Sequence, residues 1–250
     1  VTLNIPNSKQ KSGFSMRYLH HVAAHEQFVA SGKYIQAASG QHTRYEESWT
    51  MHELEGGAKL IRIDQDARFV DQADNGQWSR LAEILRNPEG RIERINVRYT
   101  AQKARAGFGV MKTDYTFLDT YAQISRRVDD AQAQYTELAL PAGTYIRLLD
   151  FTLYWGEALT LAHQQDCSQM PIFVMLFKPK LEPARVVTGA LPDIEEAAED
   201  SIQRGDETIN VMRYRTGGDR MVWVDERRIP LKMTMGRTQI TETLTNYAHR

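Results

Sequence analysis

A single cysteine, Cys167, is all that the 250-residue chain contains. No intrachain disulfide can form, and a metal site built on several thiolates is excluded. The chain also lacks an excess of charge. Its 31 basic and 32 acidic residues leave a net charge of −1, whereas nucleic-acid binders gather a basic excess on one face. The same balance gives no reason to expect docking on an anionic membrane. The longest uncharged apolar stretch runs from Met170 to Phe177, far short of the roughly 20 residues that span a bilayer.

Several signatures of chemistry are missing too. Arg105-Ala106-Gly107-Phe108-Gly109 carries two glycines, but neither the third glycine nor the strand–helix context of a phosphate loop. No Gly-x-Ser-x-Gly elbow is present. In His20-His21-Val22-Ala23-Ala24-His25-Glu26, His21 and His25 would share a helical face one turn apart. A zinc peptidase, however, needs glutamate directly after the first histidine, where this chain has Val22. No metal and no cofactor are expected. Cys167 has His163 about one helical turn away, yet nothing around it marks an activated thiol. Val1 to Phe14 show no charged segment followed by an apolar one. That favours the cytoplasm, and a trimmed leader would place the protein in the periplasm.

Hydrophobic residues make up 42% of the chain, enough for a sizeable core, and this length is normal for an undivided barrel or sandwich. One domain over residues 1–250 is expected. Phe14, Tyr18, Val22, His25 and Phe28 recur at spacings of three and four, which predicts a helix over about 14–31, with Ser15 as cap and Gly32 as stop. Beyond Gly32 the period becomes two. In Arg44–His52, Tyr45, Glu47, Trp49 and Met51 alternate with polar neighbours. Further strands are expected at 33–39, 58–68, 79–85, 92–100, 110–118, 121–128, 135–140, 172–178, 184–188, 208–215, 221–224, 231–235 and 238–244. Turns of the Asp74-Asn75-Gly76 and Asn87-Pro88-Glu89-Gly90 kind join them. The fold class that follows is mostly β: an antiparallel meander forming an open or closed barrel around a cavity, with no βαβ rhythm. Two helical breaks are expected, one near 148–162 and an acidic one near 192–201, as covering elements beside the N-terminal helix.

Three constellations carry the candidate chemistry. Glu47 between Tyr45 and Trp49 on an inner face would be desolvated and its pKa raised, the environment of a general acid or base. The alternative is that Glu47 pairs with an inward arginine such as Arg62 or Arg94. Arg62, Asp64 and Asp66 share one face of a strand, as do Arg94, Asn96 and Arg98. If outward, these faces are solvent cover. Around the first helical break, Asp150, Tyr154 and Glu157 fall at helical spacing beside Trp155, a pattern shared by a lid and by a plain amphipathic helix.

The stretch Met221-Val222-Trp223-Val224-Asp225-Glu226-Arg227-Arg228-Ile229-Pro230-Leu231-Lys232-Met233 resembles the closing hairpin of open barrels of the LolA and LppX type, with Asp225 to Leu231 matching the aspartate-bearing turn. Gly32-Lys33-Tyr34 and the paired strands to Arg68 are loosely similar as well. The chain departs from that type in having no lipobox cysteine near its start and in its greater length. The resemblance implies a curved sheet with a hydrophobic hollow covered by helices, a shape that binds acyl chains or other apolar ligands and has in a few cases been adapted for biosynthetic enzymes.

The leading expectation is therefore a binder of an apolar or amphipathic small molecule. Its cavity would be lined by Trp49, Arg62, Tyr99, Tyr115, Phe117, Tyr154, Trp155 and Trp223. The second is an isomerase, cyclase or lyase in the same cavity, with Glu47 as acid/base and Tyr45 or Asp150 assisting. The third is an interaction protein whose strand edges pair with a copy of itself.

Overall fold

The computed structural model describes residues 16–38, 43–68, 77–102, 106–165, 169–179, 181–236 and 240–250. Phe14, Ser15, the Asp74-Asn75-Gly76 turn, Arg105 and Cys167 lie outside them. The first half is a meander of β1 (Gln27–Ala38), β2 (Thr43–Glu53), β3 (Lys59–Asp66), β4 (Trp78–Arg86), β5 (Ile92–Ala101), β6 (Val110–Phe117), β7 (Tyr121–Val128) and β8 (Gln134–Ala139). A central insertion follows: β9 (Tyr145–Arg147), a 3-10 turn (Thr152–Tyr154), α1 (Trp155–Gln164), β10 (Met170–Met175) and β11 (Ala184–Gly189). The chain returns through β12 (Ile194–Arg204), β13 (Glu207–Thr216), β14 (Arg220–Val224), β15 (Pro230–Met235) and β16 (Ile240–His249).

The last strand pairs antiparallel with the first, so β12 to β16 and β1 to β8 form one 13-stranded sheet with β12 and β8 as its edges. Strand twist of about 20–25° per neighbour accumulates in one sense, and a sheet of this width must curl. The sheet is open, since β8 and β12 do not pair among the described residues. The three-stranded sheet β11-β10-β9 packs into the same core. Phe173, Met175 and Ala184 belong to one buried cluster with Tyr34, Trp49, Ile61, Ile95 and Tyr115 of the large sheet. Among the described residues, no helix is long and apolar enough to cross a membrane.

Turn chemistry fixes the registers. Gly56 and Gly57 take positive φ between β2 and β3, a conformation that costs glycine nothing. The Asp225 carboxylate accepts the N–H groups of Arg227 at 3.0 Å and Ile229 at 2.8 Å, closing the expected hairpin between β14 and β15.

Three expectations are overturned. Residues 16–26 form no helix; they run as an irregular strap across the outer face of β2 to β4. That face carries buried charges that pair partly with each other, Arg62 with Glu83 at 3.3 Å, and otherwise with the strap. The backbone N–H and guanidinium of Arg17 donate to Asp64, the N–H of His20 donates to Glu83, and Glu26 accepts both Nη groups of Arg62 at 2.6 and 2.7 Å. His21, Val22 and His25 stay exposed, so the helical face they would form does not exist. Gly32 stops no helix either. It lies within β1, where a Cβ would come within 2.6 Å of Leu244 and 2.8 Å of the Trp49 indole.

The acidic run at 192–201 is no helix but part of β12. Its Glu195, Glu196 and Asp200 meet Arg213 and Arg215 across β13, and such cross-strand pairs favour an extended chain. Finally, β9-α1-β10 is a local βαβ unit, because β9 and β10 pair in parallel and a parallel pair requires a crossover element. Of the expected covering helices, only the one near 148–162 corresponds to an observed helix, α1.

Candidate functional site

Alternation along β2 turns Tyr45, Glu47 and Trp49 inward, as expected. Glu47 is completely buried. One of its oxygens accepts the N–H of Leu153 at 3.1 Å, and the other accepts the N–H of Thr152 at 2.9 Å and the Gln65 amide at 2.7 Å. The carboxylate therefore caps the start of the 3-10 turn that leads into α1, where the free N–H groups and partial positive charge favour an anion. Burial nevertheless outweighs these three hydrogen bonds. Its pKa is pushed up to about 7, with nearby Glu242 adding in the same direction.

Glu242, on β16, is a second buried carboxylate. It accepts hydrogen bonds from Gln36, from the Thr152 hydroxyl at 2.9 Å and from the Tyr45 hydroxyl at 3.1 Å. Burial and the two carboxylates raise the Tyr45 phenol well above its ordinary value. Asp150 joins this network through its backbone only. Its carbonyl accepts the Gln65 amide at 2.7 Å, while the residue as a whole is exposed.

Beside Tyr45 lies an arginine that the sequence reading passed over. Arg80, on the inner face of β4, is only 9% exposed and sits among aromatic rings. Its guanidinium carbon lies 4.0 Å from the ring centre of Phe177, 5.4 Å from Tyr99, 5.6 Å from Phe151 and 5.7 Å from Trp78. Tyr45 and Trp78, Trp78 and Tyr99, and Tyr99 and Phe108 pack with tilted planes at 5.5–6.0 Å between centres. Tyr45, Trp78, Tyr99 and Phe177 are all partly exposed, so this box of rings reaches the protein surface. Burial lowers the Arg80 pKa from its ordinary value, with Asp150, Tyr99 and Glu47 pulling it back upward. Its Nε has no hydrogen-bond partner, and no carboxylate pairs with it among the described residues.

The remaining expected residues are scattered. Arg62 faces the opposite side of the sheet, bound to Glu26 and Glu83 beneath the strap, and neither it nor Arg94 reaches Glu47. Arg94 and Arg98 are exposed on the outer face of β5. Trp49, Tyr115 and Phe117 are core side chains. Tyr115 packs edge-on against Phe173 and donates to the Pro183 carbonyl at 3.2 Å. Tyr154 is buried under Arg86, which is ion-paired to Glu157. Trp155 donates to the Leu149 carbonyl and lies under Arg220. Trp223 donates to Asp200 and is covered by Lys232. Of the expected ligand-contacting residues, Tyr99 alone belongs to the box, and Tyr45 joins it from the catalytic set. Among the described residues, no group of three or more His, Cys, Asp or Glu is placed to hold a metal ion.

Arg80 and Glu242 did leave a signal. Trp78, Arg80, Ala82 and Ile84 alternate on one face, and Ile240, Glu242 and Leu244 on another. A charge set between apolar residues two positions away on a strand is inward-facing by the pleat.

No protein-family model matches the chain, and no curated protein does. Among solved structures, the chain is similar to the crystal structure of a beta-barrel-like protein of domain of unknown function DUF1849 from Brucella abortus. The two are 12% identical, with a TM-score of 0.47 over 91% of this chain and 100% of that one. That description names no carrier of the LolA or LppX type.

Proposed function

We propose that the protein binds an apolar or amphipathic small molecule in the aromatic box around Arg80. The observation that carries this reading is the contrast in ring burial. Deeper in the same core, Trp49, Tyr115, Phe151 and Phe173 are sealed, whereas Trp78, Tyr99 and Phe177 keep exposed surface while packed about Arg80, with partly exposed Tyr45 against Trp78. Converging, partly exposed aromatics with one polar group among them are the make-up of a small-molecule site. The enzymatic alternative rests on Glu47, whose pKa near 7 suits acid/base work at neutral pH. Both of its oxygens, however, are committed to the donors that start the 3-10 turn. That commitment favours a structural cap and supports binding over catalysis.

The test is uptake of a neutral fluorescent hydrophobe, N-phenyl-1-naphthylamine, together with native mass spectrometry and organic extraction of the purified protein. Wild type is expected to take up the probe. Trp78→Ala should weaken uptake by about tenfold, a loss on the scale of one aromatic contact surface, and Trp223→Phe, outside the box, should leave it unchanged. A wild-type protein that neither takes up the probe nor releases any molecule on extraction would overturn the proposal.

A further inference from the structure

The three arginines that resemble Arg80 in burial are all met by the chain itself. Arg62 is held by Glu26 and Glu83, and Arg86 by Glu157 at 2.7 Å. Arg126 donates to the carbonyls of Leu176, Lys178, Leu181 and Pro183 and to the Thr113 hydroxyl. Arg220 shares an unpaired Nε and lies over the Trp155 ring, but its Nη2 reaches the Met235 sulfur at 3.7 Å. Arg80 makes no hydrogen bond among the described residues and has aromatic rings about it. A guanidinium taken out of water without a partner is costly, and cation–π contacts offset only part of that cost.

The geometry indicates what is missing. The Phe177 ring centre lies 4.0 Å from the central carbon of the guanidinium, a ring contact that takes up none of its hydrogens in a hydrogen bond. Its N–H groups lie in the plane and are left free for a planar acceptor, the arrangement in which arginine grips a carboxylate through two parallel bonds.

From the unpartnered Arg80 fork in its aromatic box, we infer that the ligand is a monoanionic amphipath, a carboxylate on an apolar body, with the carboxylate received by Arg80 and the body packed on Trp78, Tyr99 and Phe177. The inference rests on the binding proposal above and names its ligand class. A single charge is specified because, among the described residues, Arg80 is the one cation over these rings, while Glu47 and Asp150 already act on it electrostatically. A phosphate dianion would bring a second negative charge with nothing to balance it.

The experiment is competition against N-phenyl-1-naphthylamine on the full chain, using decanoate, decanol and decyl phosphate as displacing molecules in wild type, Arg80→Met and Arg80→Lys. Decanoate should displace the probe from wild type at about tenfold lower concentration than decanol, the scale of a charge-assisted hydrogen-bonded pair, and should also outcompete decyl phosphate. In Arg80→Met, compared only with itself, decanoate and decanol should displace the probe at equal concentrations, the preference for decanoate being lost. Arg80→Lys, which retains charge without the fork, should keep only part of it.

Equal displacement by decanoate and decanol in wild type overturns the inference while leaving the binding proposal standing; that comparison needs no variant to fold. Retention of the preference in Arg80→Met also overturns it, and stronger displacement by decyl phosphate overturns the carboxylate assignment. If the neutral probe fails to bind wild type and extraction releases nothing, the binding proposal falls. A thermal shift with decanoate alone then decides the inference: a rise in Tm that Arg80→Met abolishes supports it, and no rise overturns it.

Discussion

Two arginines on adjacent strands, Arg62 on β3 and Arg80 on β4, are both almost wholly buried, yet their surroundings are opposite. Arg62 lies beneath the strap of residues 16–26 with Glu26 and Glu83 in direct contact. Arg80 lies on the other face of the same sheet with rings about it and, among the described residues, no carboxylate in direct contact. The first is a charge whose desolvation the chain itself offsets, so its role is to hold the strap to the sheet. The second has no carboxylate in direct contact among the described residues, and it is on this charge that the proposed ligand is placed. Buried charge alone identifies neither role; the partners do.

The sharpest way to break this comparison is to delete each arginine. Arg62→Met strands Glu26 and Glu83 without their cation and should cost about 3–5 kcal/mol of unfolding free energy, the scale for breaking a buried ion pair from one side, read from urea denaturation. An effect below about 1 kcal/mol would mean that the strap is held by something else.

The next largest effect is a pH dependence of opposite sign on the two faces. Glu26, held down at about 2 chiefly by its hydrogen bonds from Arg62, contributes stability that is full above its unfolded pKa near 4.5 and is lost as pH falls towards 2. Glu47, raised by burial to about 7, works the other way. The folded state binds its proton more tightly than the unfolded chain, so its contribution is full below about 4.5 and declines as pH rises to 7, by about 3 kcal/mol in total. Glu47→Gln should flatten stability between pH 4.5 and 7, and Glu26→Gln should flatten it between pH 2 and 4.5. Denaturation midpoints across both windows check this; an unchanged slope in either variant contradicts the corresponding assignment.

Arg80→Met, in contrast to Arg62→Met, should change stability by no more than about 1 kcal/mol, because removing an unpaired buried charge offsets the lost cation–π contacts. A loss as large as that of Arg62→Met would show that Arg80 is structural after all. The smallest effect is expected at the rim of the strap. His20 is mostly exposed although it contacts Glu83 at 2.6 Å, and His20→Ala should cost about 0.5 kcal/mol or less, diminishing with added salt.

Much of this fold was legible in the sequence because a strand's side chains alternate regardless of what they face. Tyr45, Glu47 and Trp49 could be placed on one inner face, and the aspartate turn at Asp225 could be read from its own side chain, which makes the bonds that close it. What was misread shares a cause. The 14–31 pattern has helical spacing, but Arg17, His20 and Glu26 find charged partners on β3 and β4 that lie 36 to 63 positions away. Local periodicity contains no information about such partners. The acidic stretch of β12 likewise looks like a solvated helix until Arg213 and Arg215 lie opposite it.

The site divides in the same way. The sequence by itself determined most of the strands and turns, and that Tyr45, Glu47 and Trp49 share one face of β2, since each depends on neighbours within a few residues. Only the tertiary structure decided that Glu47 caps the turn at Thr152, that Arg62 is matched and Arg80 is not, and that β16 closes onto β1. Those outcomes depend on which distant groups share a buried space, where every charge must find a partner or remain without one.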